Sequence, residues 1–197
     1  MDYTEINTDE ILNWLKENLN EERYEHSIGT AQCAKDLAKK YGLNEEKAYI
    51  AGLLHDCAKC FPKDKMLEII DEHVNVEQCE RMNFKTLHAP VSFYIARTEF
   101  LVEDEEILSA IRWHTIGQLD MTDFEKAVFI ADKIEPRTRE KYYAQPIIDE
   151  LSCDNGLNRA MLQCCKHTIK SLVDRNLPIC PLTIDIYNKF HSLVNVK

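Results

Sequence analysis

The stretch around residues 45–58 constrains the fold more than any other part of the chain. Ala48, Ile50, Ala51, Leu53 and Leu54 place apolar side chains on nearly every side of a helix. A helix apolar all round belongs in the centre of a protein or in a membrane. No apolar run in the chain approaches the roughly 18 residues of a membrane span. The segment is therefore a central helix, and the rest of the chain must be able to pack around it. Asn44 caps it, and Glu45 and Glu46 suit the positive end of its dipole.

The flanking segments have the pattern to do so. Thr8 is the expected cap of a helix over about 9–19, with Ile11, Leu12, Leu15 and Leu19 on one face. Tyr24, Ile28, Ala31, Ala34, Ala38 and Tyr41 recur at helical spacing until Gly42 supplies a left-handed stop. Pro62 reads as the first residue of a helix to about Glu72. Residues 75–87 are weakly patterned, and 89–100 and 104–114 read as two more helices. Thr122-Asp123-Phe124-Glu125 is a capping box that opens a helix ended by Pro136. Residues 137–144 read as irregular, followed by helices over about 146–152, 157–174 and 181–194. Strand alternation and internal repeats are absent. With 5 Gly and 6 Pro in 197 residues, a turn-rich β fold is disfavoured. The expected fold is all-α, in one globule.

The net charge of −10, from 24 basic and 34 acidic residues, argues against a duplex nucleic acid as partner. Residues Met1–Leu12 lack the basic and apolar regions of a signal peptide. On that ground the eight Cys are expected to be reduced thiols in the cytoplasm, with no membrane association. Cys57-Ala58-Lys59-Cys60 is a lone CxxC and carries little weight for redox or zinc chemistry.

Four polar residues interrupt apolar faces. His55 and Asp56 follow Ala51-Gly52-Leu53-Leu54 on the central helix, and an adjacent pair there cannot both face solvent. Asp132 follows Val128-Phe129-Ile130-Ala131, and His26 lies on a face otherwise built of Ala, Ile, Leu and Tyr. A lone His of this kind is commonly a hydrogen-bonded core residue. Burying an unpaired carboxylate is very costly, however, so Asp56 requires a metal or a strong cation. Two imidazoles and two carboxylates form a mixed N/O set suited to Fe, Mn, Zn, Co or Ni. His114 continues the face of Ile107 and Ile111.

With their neighbours, these positions resemble a known family. His26, His55-Asp56 and Asp132 are similar to the H…HD…D signature of the HD-domain phosphohydrolases. The surrounding words sharpen the match: Arg23-Tyr24-Glu25-His26-Ser27, Ala51-Gly52-Leu53-Leu54-His55-Asp56-Cys57-Ala58-Lys59, His88-Ala89-Pro90, Ile111-Arg112-Trp113-His114-Thr115 and Ile130-Ala131-Asp132-Lys133-Ile134-Glu135-Pro136. Together they resemble the branch of bacterial symmetrical bis(5′-nucleosyl)-tetraphosphatases, which cut diadenosine tetraphosphate into two ADP. The likeness is strong over about 20–145 and loose beyond.

The resemblance implies a single HD domain over 1–197, a helical bundle with core about 20–145 and additional C-terminal helices, 146–197, packed on it. It implies a divalent transition metal, iron foremost, held by His26, His55, Asp56 and Asp132. His88 and His114 would either hold a second ion or contact phosphate oxygens, and the reading preferred here is one firmly held ion. Asp56, Asp132, His88 and His114 are the expected catalytic groups.

A polyphosphate substrate also needs positive charge. Lys59 lies one helical turn after His55, Arg23 one turn before His26, and Lys133 directly follows Asp132. Arg137 and Arg139 continue a basic tract past Pro136. Arg grips phosphate as a fork and Lys as a point charge. These five, with His88 and His114, are the expected substrate contacts. Tyr142 and Tyr143 read as packing, with base stacking as the other reading. The leading function is a metal-dependent dinucleoside tetraphosphate hydrolase. The alternatives are another HD enzyme, such as a 5′-nucleotidase or phosphodiesterase, and a nucleotide-sensing helical module without turnover. Homodimerisation stays open.

Overall fold

The computed structural model describes residues 6–195, and these are helical with no strand. The helices are α1 (Thr8–Asn18), α2 (Glu21–Tyr41), α3 (Glu45–Leu54), α4 (Lys63–His73), α5 (Gln78–Arg81), α6 (His88–Thr98), α7 (Glu105–Trp113), α8 (Asp123–Ile134), α9 (Lys141–Glu150), α10 (Gly156–Asp174) and α11 (Pro181–Asn195). A 3-10 turn, Phe84–Thr86, precedes α6. Helix α3 is the centre, as its composition demands. It packs against α2, α7 and α8, while α6 backs α7 and α10 backs α8. Leu53, Leu54, Ile107, Ile111 and Ile130 are fully buried there. The same apolar cluster continues into Met161 and Cys164 of α10 and Phe190 of α11. No helix of the described residues is long and apolar enough to cross a membrane.

The terminators act locally as the sequence suggests. Gly42 takes φ 69 and closes α2, Asn44 accepts from Glu46 N and Lys47 N, and the Thr122/Glu125 capping box is complete. The α2–α3 crossing rests on Gly52: a Cβ there would lie 2.5 Å from the Ala31 Cα, so only glycine lets the two backbones touch.

Several boundaries differ from expectation. Asn7, not Thr8, caps α1, because its side chain reaches Asp9 N and Glu10 N. Pro62 occupies the cap position rather than the first turn of α4. Helix α3 ends at Leu54, and residues 55–60 continue as turns with Cys57 N→Leu54 O and Lys59 N→Asp56 O bonds. The weakly patterned 75–87 stretch holds α5, tied to α7 by a buried fork between Arg112 and Glu80 at 2.7 and 2.8 Å. Helix α9 begins at Lys141, with Pro146 inside it. Burial of Ala144 and Ile147 outweighs the backbone bond that proline removes.

Candidate metal centre

Three helices deliver the four interrupting residues to one point. His26 comes from α2, His55 and Asp56 stand just past the end of α3, and Asp132 is in the last turn of α8. All four are buried. His26 Nε2 lies 2.9 Å from Asp132 Oδ1 and 3.8 Å from Asp56 Oδ2. His55 Nε2 lies 3.3 Å from His26 Nε2 and 3.8 Å from each of the same two carboxylate oxygens.

The outer ring nitrogens decide what the inner ones can do. His55 Nδ1 donates to Gly52 O at 2.7 Å, so its Nε2 presents a lone pair inward. His26 Nδ1 donates to Glu135 Oε1 at 3.0 Å. Burial works against charge on His26, but its hydrogen bonds to Asp132 and Glu135 outweigh that and hold its pKa above the ordinary value. Burial drives His55 the other way, to about 3, against the partial opposition of Asp56. Asp56 and Asp132 are both held well below the usual carboxylate range. Burial opposes their ionisation, but His88, His55 and Lys59 around Asp56, and Lys133, His26 and Arg139 around Asp132, outweigh it. His26, His55 and Asp56 each offer a donor atom within 4.8 Å of the others, a set that fits a divalent cation, and Asp132 Oδ1 faces both imidazole nitrogens at 2.9 and 3.8 Å. An ion held here would compete with the proton on His26.

A second cluster shares Asp56. Its Oδ1 lies 2.8 Å from His88 Nε2 and 3.3 Å from His114 Nε2, and the two nitrogens are 3.1 Å apart. Both rings donate Nδ1–H to backbone carbonyls, of Lys85 at 2.7 Å and Ile111 at 2.8 Å. Burial lowers His88 to about 4. His26, His55 and Asp56, and Asp56, His88 and His114, are each geometrically able to hold a metal ion.

Cations ring these clusters. Lys59 Nζ is 3.0 Å from His88 Nε2 and 3.4 Å from Asp56 Oδ1. Lys133 Nζ is 2.6 Å from Asp132 Oδ2 and Arg139 Nη2 is 2.7 Å from Asp132 Oδ1. Arg23 Nη1 stands 3.6 Å from Asp56 Oδ2. Arg137 is the exception: its guanidinium turns away to Glu25 on the surface. Glu135 was not singled out by its sequence. It is fully buried, and besides His26 it accepts from Arg137 N at 2.7 Å, Thr138 N at 3.1 Å and the Thr138 hydroxyl.

The HD-domain family model matches residues 23–137, which includes every residue of the cage. The chain belongs to the HD-domain family. A Bacillus subtilis relative named bis(5′-nucleosyl)-tetraphosphatase, symmetrical, is 38% identical over 93% of this chain and 97% of its own. A Staphylococcus aureus protein of the same name is 34% identical over 89% of this chain and 90% of its own. Among solved structures, a Clostridium acetobutylicum protein described as a predicted HD superfamily hydrolase involved in NAD metabolism is 36% identical. It superposes with a TM-score of 0.88 over 95% of this chain and 98% of its own. The all-helical HD fold and membership of a hydrolase family are thereby shown.

Proposed function

We propose that the chain is a metal-dependent hydrolase that cuts diadenosine tetraphosphate symmetrically into two ADP, with iron as its ion, in the cytoplasm. The observation that carries the reading is the ring of cations around a His/Asp cage in a protein whose overall charge is −10. Lys59, Lys133, Arg139 and Arg23 gather positive charge where a polyphosphate has to lie. Relatives that match almost end to end bear the name of this activity. The described cysteines are free thiols, in keeping with a reducing compartment.

His26, His55, Asp56 and Asp132 would hold the ion, which supplies Lewis acidity and lowers the pKa of water. The remaining work falls to the chain. Lys133, Arg139 and Arg23 neutralise phosphoryl oxygens that would otherwise repel the nucleophile. The Asp56 and Asp132 carboxylates orient the attacking water. His88 and His114 point Nε2 at Asp56 and at each other, placed to contact the attacking water or a phosphate oxygen. Water oxygen bonds to one of the two central phosphorus atoms, the bridging P–O bond breaks, and the second ADP leaves as an oxyanion beside Lys59.

Product analysis on diadenosine tetraphosphate, paired with metal analysis of the purified protein, tests this. The expected result is two ADP and bound iron. ATP plus AMP, or a nucleotide monophosphatase activity with no tetraphosphate cleavage, overturns it.

A further inference from the structure

A cavity of about 250 Å³ adjoins the metal centre at Lys133. One side is aromatic, from Phe129, Tyr143 and His167, and the rings of Tyr143 and His167 are 5.0 Å apart at 45°. Thr115, Thr168 and Ser171 add hydroxyls, and Arg175 stands on the wall with Lys133 as a second cation. Among the described residues the wall has no carboxylate, although the chain has 34 acidic residues against 24 basic ones. On the outer side, an adjoining hollow shares Tyr143, His167, Ser171 and Arg175 with this cavity and carries one acid, Asp174.

Lys133 links the cavity to the chemistry. Its ammonium bonds Asp132 Oδ2 at 2.6 Å and lies 5.1 Å over the Phe129 ring. Anionic groups held at Lys133 therefore sit at the mouth of an aromatic, acid-free chamber. A ligand matching that arrangement is anionic at one end and a flat, polar-edged ring at the other. That is a nucleoside 5′-phosphate. A purely inorganic phosphate chain would leave the rings unused, and an apolar ligand would leave the cations and hydroxyls of the wall unused.

We infer that this cavity seats one nucleoside of the substrate, with phosphates at Lys133, the base against Tyr143 and His167, and Arg175 on the outer side. Base stacking on aromatic rings and Arg tolerates every base, so the seat selects for a nucleotide more than for adenine. The inference rests on the proposed hydrolysis of a dinucleotide and assigns Tyr143, His167 and Arg175 to substrate binding.

The test is calorimetric binding of ADP and, separately, of pyrophosphate to the metal-loaded protein and to Ser171→Trp and Arg175→Glu. Ser171 and Arg175 are exposed at the end of α10, where substitution spares the core. Ser171→Trp fills the cavity and is expected to weaken ADP by about tenfold or more, the scale of a lost stacking contact. Pyrophosphate binding and metal content stay within about twofold, since they engage only the inner end. Arg175→Glu is expected to weaken ADP similarly. Unchanged ADP affinity in both variants, equal losses for ADP and pyrophosphate, or a wild type that does not bind ADP overturns the seat. Product analysis separates this from the activity. If wild type yields no ADP from the tetraphosphate while Ser171→Trp loses ADP binding selectively, the seat stands and the assigned reaction falls.

Discussion

Removing the Glu135 carboxylate tests whether the metal centre is held from behind. Glu135 anchors the outer nitrogen of His26 at 3.0 Å and closes the turn at Arg137 and Thr138. Glu135→Ala removes the acceptor of the His26 N–H, of two backbone N–H groups and of the Thr138 hydroxyl, and that hydroxyl, 3.2 Å from His26 Nδ1, can then accept from the ring. An unpaired buried donor costs about 1–3 kcal/mol. Arg137 is exposed and Thr138 half-buried, so these groups are not fully cut off from water, and the loss is less than the sum of full penalties, on the order of 2–4 kcal/mol. The effect on the ion is separate: losing the outer partner of a ligating His costs about 10–100-fold in metal affinity. Glu135→Gln keeps an acceptor oxygen for His26 but loses the charge, and falls between. Thermal unfolding reads the first effect, and competition with a chelator of known affinity reads the second. If Glu135→Ala is destabilised as expected but binds metal within twofold of wild type, Glu135 merely closes the 135–138 turn and the reasoning fails.

Lys133→Ala and Arg139→Ala should each lower kcat/KM by about tenfold to a hundredfold, the scale of a lost charge-assisted hydrogen bond, with metal content unchanged. Arg137→Ala should leave the same constants near wild type, because its guanidinium pairs with Glu25 instead. After chelator treatment, stability should fall as pH drops below about 6.5. His55 and His88 have folded pKa values of about 3 and about 4 against 6.5 unfolded, so between those limits the unfolded chain binds more protons. Each adds a slope of up to about 1.4 kcal/mol per pH unit. His26, raised above 6.5, is charged in both states in that window and adds none; its contribution is full there and is lost as pH rises through its folded pKa. Urea unfolding at pH 7, 6 and 5 measures this, and a flat profile would refute the neutral burial of His55 and His88.

The four cage residues were visible in the sequence because each interrupts an apolar helical face, a conflict readable without coordinates. Glu135 was not. It directly precedes Pro136 at a helix end, where a charged residue normally meets solvent, and only the packing of α2 on α8 buries it. The only hint was electrostatic, since a carboxylate is unfavourable at the negative end of a helix. Arg137 and Arg139 are chemically identical and two residues apart, so sequence could not sort them. The path of the turn after Pro136 sends Arg139 to Asp132 and Arg137 to Glu25. The early start of α9 was hidden for a related reason: Pro146 reads as a helix start, and only tertiary burial of Ala144 makes the preceding turn helical.

Because Gly52 leaves no side chain between α3 and α2, the separation of His26 from His55 is set by backbone touching backbone. The same glycine lends its carbonyl to His55 Nδ1, so one crossing governs both the spacing and the tilt of the rings. Rotamer hopping cannot widen such a gap; only parting two helices of the core can. The donors are gathered once, when the chain folds, rather than each time an ion arrives. An ion entering this site would meet ligands already in place, so its binding would require little rearrangement of the α2–α3 contact.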